Sequence, residues 1–148
     1  MDENLLWEIR AFVYQHFAET THPPTVEATA SHFGLPHEEA AAVYEELGKR
    51  HALFLESGTH HIEMAWPFSG LETPFKVYAN DKTYFANCAW DSLGIPAALH
   101  ADAQIEASCA QSGEPIHITV GRQQVQDSTA LVHFLVPFQS WYNDLPFT

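Results

Sequence analysis

A chain of 148 residues, 46% hydrophobic and 13% aromatic, can bury the core of one domain or of two small ones, which excludes a disordered or collagen-like chain. Six Lys and Arg against 19 Asp and Glu leave a formal charge of −13, which disfavours a nucleic-acid backbone or an anionic membrane as partner. Two cysteines, Cys88 and Cys109, are too few for a disulfide framework and suit a reducing compartment with both thiols free.

The acidic start Asp2-Glu3 lacks the basic residues of a signal peptide, and no apolar run approaches the ~18 residues of a membrane span. A soluble, cytoplasmic protein is expected. Over residues 4–18, Leu5, Leu6, Ile9, Phe12, Val13 and Phe17 recur at helical spacing, which predicts an amphipathic helix with Asn4 as its N-cap. His22-Pro23-Pro24 ends it. Thr25 then caps a second helix over 26–33, closed by Gly34, and Leu35-Pro36-His37 turns into a third over 38–51. Residues 53–55 and 61–64 read as short strands of a hairpin around Ser57-Gly58-Thr59.

Three helices and a hairpin make a winged helix-turn-helix-like unit over residues 1–66. In DNA-binding examples the third helix enters the major groove, but here it carries Glu38, Glu39, Glu45 and Glu46. With 3 basic and 11 acidic side chains over residues 1–66, a scaffold or dimerisation role fits better than binding DNA.

Beyond Trp66-Pro67-Phe68-Ser69-Gly70 the pattern turns strand-rich. Residues 75–79 and 83–86 flank the turn residues Asn80-Asp81. A short helix follows over 87–93, with Gly94 and Pro96 bending or ending it and 97–99 a further turn. Residues 104–108, 115–120 and 130–136 read as three more strands, completing an α+β protein whose second domain, 67–148, is a mixed or antiparallel sheet carrying a short active-site helix.

That helix holds the chemistry. With Asn87 as cap, Cys88 falls in the first turn, where free N–H groups and the macrodipole favour a thiolate. Asp91, three residues on, shares its face and can take and return a proton. By itself the bare C-x-x-D pattern more often marks a buried core thiol beside a surface or capping carboxylate. The ten histidines show no metal-ligand spacing, and adjacent His60 and His61 on one strand would point to opposite faces.

The chain resembles the alkylmercury lyase family over nearly its whole length. The likeness lies in Met64-Ala65-Trp66-Pro67-Phe68-Ser69, Thr73-Pro74-Phe75-Lys76-Val77 and, most specifically, Asn87-Cys88-Ala89-Trp90-Asp91-Ser92-Leu93-Gly94-Ile95-Pro96-Ala97. It continues through Cys109 with Gly113-Glu114-Pro115, Val132-His133-Phe134 and residues 141–148. The resemblance implies protonolysis of a carbon–mercury bond to a hydrocarbon and Hg(II), with no cofactor required. Cys88 would bind the soft metal, Asp91 would deliver the proton and also contact mercury, and Cys109 would be a structural thiol packed in the core. Trp90 would line a pocket for the organic group, or else pack in the core, and His133 would lie near that pocket on its strand.

The partners implied are a small organomercurial, an external thiol for turnover, and a mercuric reductase or small thiols that receive Hg(II). The family's second reactive cysteine is expected just past Thr148, so two-thiolate chelation from the usual pair is not expected of this sequence. Two rivals stand beside the lyase: a protein that captures soft metals without turnover, and a thiol-based, metal-sensing winged-helix regulator.

Overall fold

A computed structural model describes residues 2–126 and 128–143. Helix α1 (Glu3–Thr20) starts one residue before the expected Asn4. Asp2 is the N-cap, accepting from the Asn4 N–H, so Asn4 lies inside the first turn. Both residues are good caps, and apolar spacing alone does not choose between them. Leu6, Ile9, Val13 and Phe17 form the buried stripe.

Helix α2 (Val26–Phe33) has the expected ends: the Thr25 side chain accepts from the Ala28 N–H, and Gly34 closes it at φ +66°. Helix α3 (His37–Lys49) buries Ala40, Ala41, Val43, Tyr44 and Leu47. The Tyr44 hydroxyl shares a hydrogen bond with Thr29 and donates to the Pro24 carbonyl, tying α2 to α3. Glu38, Glu39 and Glu45 are exposed, and Arg50 is engaged by Glu3 and Glu46, so the outer face of α3 is acidic.

Strands β1 (Phe54–Leu55), β2 (Ile62–Ala65) and β3 (Phe68–Ser69) form a small antiparallel sheet in that order. The larger sheet holds β4 (Lys76–Ala79), β5 (Lys82–Phe85), β6 (Ala103–Ser108), β7 (Pro115–Gly121) and β8 (Gln124–Gln126), ordered β5-β4-β6-β7-β8. All its pairings are antiparallel. Residues Asn80-Asp81 and Arg122-Gln123, all at positive φ, make the two tight turns. A single bridge between Phe68 and Ala86 joins the sheets.

Helix α4 (Ala89–Leu99) crosses the large sheet, burying Ser92, Ile95 and Pro96. It runs through Pro96, contrary to the expected end near Leu93. Pro96 costs the Ser92 carbonyl its usual donor, but only three residues follow and the ring is buried against the core.

One further expectation needs correction. Residues 130–136 are not a strand: β8 occupies the sheet edge beside β7, and Leu131 is 92% exposed. The chain there runs irregularly into a 3-10 helix (Phe138–Asn143). Residues 144–148, part of the family-like C-terminal segment, lie outside the described residues. Among the described residues no helix is long and apolar enough to cross a membrane.

One apolar cluster runs from Leu6 to Val120. Phe68 is its hinge point, stacking on Phe17 at 5.3 Å and packing on Tyr84 at 5.7 Å. The Tyr84 hydroxyl donates to the Ala18 carbonyl at 2.7 Å, so α1 is fastened directly to β5. This contact brings the N-terminal helix up to the residues that matter next.

Candidate functional site

Cys88 itself, with φ −150° and ψ 178°, is the N-cap residue of α4; Asn87 precedes the cap. The shift of one place leaves Asp91 in the first turn, close enough to the thiol for each to alter the other's proton affinity. Sequence and structure agree that Cys88 and Asp91 are neighbours. Half-buried Cys88 sits at the head of α4, and the neighbouring Asn87 side chain faces the corner formed by Pro67 and Phe68.

Asn87 does not cap. Its Nδ2 donates to Asp91 Oδ2 at 3.1 Å and lies 3.4 and 3.5 Å from the carbonyls of Phe68 and Pro67. It therefore ties the carboxylate to the corner between β2 and β3. Gly94 brings α4 against the same corner: a Cβ there would sit 2.9 Å from Pro67 Cβ. Thr73 finishes the frame from behind, its hydroxyl donating to the Ala86 carbonyl at 2.6 Å. The four-residue spacing from Asn87 to Asp91 was a signal in the sequence for this bond.

Electrostatics at the site differ from the expectation of a stabilised thiolate. Burial pushes the Cys88 thiol up from its ordinary value, and the Asp91 charge acts the same way. The N–H groups of Asp91 and Trp90 pull in the opposite direction, as a helix head should, without prevailing. Asp91 is also raised, chiefly by burial, against lowering by the Asn87 amide and the Cys88 thiol. The pair is thus a thiol facing a reluctant carboxylate, and one proton can move between them.

Trp90 is 56% exposed and is not a core residue. Its ring meets Phe134 edge-on at 6.0 Å, Phe134 stacks on Trp141 at 5.3 Å, and Trp141 Nε1 donates to the Val136 carbonyl. These groups line an open apolar hollow of about 690 Å³ with residues 134–138. His133 is exposed on the irregular segment and is not among the hollow's lining residues. A second hollow at the β4–β5 turn holds neither cysteine.

Cys109 is not packed in the core. It lies part-exposed in the turn between β6 and β7, where its carbonyl accepts from Gly113 and its N–H donates to Glu114. The Ser112 side chain, then the N–H groups of Ser112 and Gln111, lower its thiol from the ordinary value. Tight-turn geometry holds these donors around the sulfur, which a core site would not. Among the described residues, no three His, Cys, Asp or Glu side chains gather as a metal-holding group.

Sequence reading also missed α1 as a wall of the site. Tyr14 packs edge-on against Phe68 at 6.4 Å and senses the Asp91 charge, while Arg10 donates to the Tyr14 hydroxyl at 3.2 Å. A basic residue four before a tyrosine in an otherwise acidic helix was the available signal.

A family model for alkylmercury lyase matches residues 68–146, a stretch that starts at the Phe68 corner and includes Cys88, Asp91 and Cys109. The chain belongs to the alkylmercury lyase family. Alkylmercury lyases of Bacillus cereus and Clostridium butyricum are each 29% identical over 116 residues, covering 76% of this chain and 51% of theirs. One from Staphylococcus epidermidis is 27% identical over 118 residues, covering 78% of this chain and 52% of its own. The chain thus spans about half the length of these curated relatives. Among solved structures, the mercury-bound form of MerB2 matches with a TM-score of 0.67 at 24% identity, over 87% of this chain and 61% of the other. That likeness is one of fold, and it agrees with the α+β architecture described above.

Proposed function

We propose that this member of the alkylmercury lyase family cleaves carbon–mercury bonds by protonolysis, with Cys88 as the mercury-binding sulfur and Asp91 as the proton carrier. The observation that carries the reading is the half-buried thiol–carboxylate pair at the head of α4. As sulfur takes R–Hg⁺, the thiol proton passes to the Asp91 carboxylate, whose raised affinity suits it to receive that proton. Asp91 then protonates the mercury-bound carbon; the electron pair of the C–Hg bond forms the new C–H bond, and the hydrocarbon leaves. Hg(II) stays on the Cys88 sulfur, with the Asp91 oxygens beside it, until external thiols or a mercuric reductase remove it. No atom changes oxidation state through an outside reagent, and no cofactor is called for.

Trp90 and the apolar hollow beside it would hold bulky organic groups. Residues 1–66 are read as a winged-helix-like unit, supported by α1–α3 and the β1–β2 hairpin, and residues 67–148 as the lyase-like unit. The acidic outer face of α3 favours packing over DNA binding.

The test is hydrocarbon release from phenylmercury in excess thiol by the wild type, Cys88→Ala and Asp91→Ala proteins. Release by the wild type and its loss in both variants is the expected result; equal release by all three overturns the assignment. The lack of a third metal-binding side chain near the pair, among the described residues, favours one rival, capture without turnover. Mercurial binding lost in Cys88→Ser, with no hydrocarbon from the wild type, would establish that rival instead.

A further inference from the structure

Residues of α1 outside the thiol–carboxylate pair converge on the site. The Arg10 guanidinium lies 4.7 Å from the centre of the Tyr14 ring and 6.0 Å from that of Trp7, and it donates to the Tyr14 hydroxyl. No carboxylate pairs with Arg10 among the described residues, and its Nε is buried without a hydrogen-bond partner. A cation so placed is held by ring faces and one phenol, and its field is not cancelled by an anion beside it.

Tyr14 is the link to the site. Its ring packs on Phe68, whose carbonyl faces the Asn87 amide, and that amide holds Asp91. The bond from Arg10 uses the acceptor side of the Tyr14 oxygen, which leaves the phenolic proton free to donate. Burial is the main cause that raises the Tyr14 phenol, Arg10 opposes it, and the Asp91 charge adds to it, as adjacency demands.

We infer that Tyr14, anchored by Arg10, is a positioning residue of the proposed lyase site, holding the Asn87–Asp91 arm in the orientation that delivers the proton to carbon. This rests on the proposed function for its catalytic consequence. It does not rest on it for the geometry. Tyr14 packs against the corner that Asn87 grips, so deleting its hydroxyl frees Arg10 and loosens that corner while leaving the Cys88 sulfur able to take mercury.

The experiment separates capture from cleavage in the full chain. Phenylmercury capture is read as protection of Cys88 from alkylation, and cleavage as benzene released in a single turnover with excess thiol. Tyr14→Phe and Arg10→Met are expected to lower cleavage roughly tenfold with capture unchanged, as for lost orientation at a reacting group. Arg10→Lys, which can still donate to the Tyr14 oxygen, is expected to recover most of the rate. Phe12→Leu alters α1 on the side that meets His16, His32 and Phe33 and serves as the structural control.

In parallel, the NMR resonances of the Asn87 side-chain amide report its bond to Asp91 whether or not cleavage occurs. They are expected to shift in Tyr14→Phe and to stay in place in Phe12→Leu. Equal loss of capture and cleavage, or an unmoved Asn87 amide, overturns the inference. If the wild type releases no benzene, the lyase reading fails and the amide resonances alone decide the role of Tyr14. Should Tyr14→Phe not fold, Arg10→Met supplies the same readings.

Discussion

Replacing Gly94 by Ala tests whether the closeness of α4 to the Pro67 corner is what builds the site. The added Cβ would stand 2.9 Å from Pro67 Cβ and 3.4 Å from its Cγ. Carbon pairs pack best at about 3.5–4.0 Å, so the two elements must part by roughly 0.6–1 Å. A proline ring has no alternative rotamer to swing away, and the backbone of the corner must yield instead. Overpacking of this kind costs about 1–3 kcal/mol, against about 1 kcal/mol recovered from alanine's better helix propensity. The net expectation is a loss of roughly 0–2 kcal/mol, read by urea unfolding with Trp66 and Trp90, which flank the contact, as fluorescent reporters. The effect on chemistry should be larger. Asn87 bridges this corner to Asp91, and a shift near 1 Å at a reacting group costs up to about a hundredfold in rate. Hydrocarbon release is therefore expected to fall roughly ten- to hundredfold. A Gly94→Ala protein that is more stable by about 1 kcal/mol and cleaves at the wild-type rate would refute the close-contact account, leaving Gly94 as a mere weak point in the helix.

Burial raises Asp91 above its ordinary value of 3.8, so the folded protein holds that proton more tightly than the unfolded chain and loses stability as pH rises from 3.8 through the raised value. Asp91→Asn removes this slope and is expected to be at least as stable as the wild type at pH 7 while releasing no hydrocarbon; urea unfolding at pH 4 and pH 7 checks it, and a clear loss of stability at pH 7 contradicts it. The thiols should react in an order opposite to their assumed importance, because Cys109 is part-exposed and lowered whereas Cys88 is half-buried and raised. Limiting iodoacetamide at pH 7.5 is expected to label Cys109 first by mass spectrometry, and labelling of Cys88 first would contradict the electrostatic picture. Phe68→Ala removes a side chain only 2% exposed that contacts Phe17, Tyr14 and Tyr84. Thermal and urea unfolding should show a loss of about 3–5 kcal/mol, and a loss below about 1 kcal/mol would mean that α1 is not fastened through this ring.

Local signals are legible in the sequence where local physics decides the outcome. The stripe Leu6, Ile9, Val13 and Phe17 is fully buried, Thr25 and Gly34 bound α2 as their chemistry requires, and Asn80-Asp81 turns β4 into β5. The cap of α1 moves two residues, to Asp2, because Asp2 and Asn4 are both good cap residues; that of α4 moves one, to Cys88, which makes no side-chain cap bond, because the Asn87 amide is taken by Asp91 and the Phe68 corner. Larger departures came from non-local terms. Alternation over 130–136 predicts a strand only if a partner edge is free, and β8 had taken the one beside β7. Pro96 stops a helix unless its ring finds a core to enter, which the large sheet supplies. The spacing from Cys88 to Asp91 was legible; the roles of Tyr14 and Arg10 were not, because they depend on α1 crossing more than fifty residues of chain to meet the Phe68 corner.

The reversal at Cys88 changes how the proposed chemistry is understood. A nucleophile is usually expected to be poised as thiolate, and a helix head offers the means. Here burial opposes a second negative charge beside Asp91, so the resting pair keeps a proton on sulfur. Under the proposed function that is an advantage. Capture of R–Hg⁺ replaces the thiol proton with a metal that forms a covalent, nearly neutral sulfur adduct, and the proton moves to a carboxylate whose surroundings favour its neutral form. The same burial that would make a free thiolate costly therefore favours the state after capture, in which both groups are neutral and the acid stands beside the carbon it must protonate. Asn87 limits this trend by stabilising the ionised carboxylate, so Asp91 remains able to accept the proton before it gives it away.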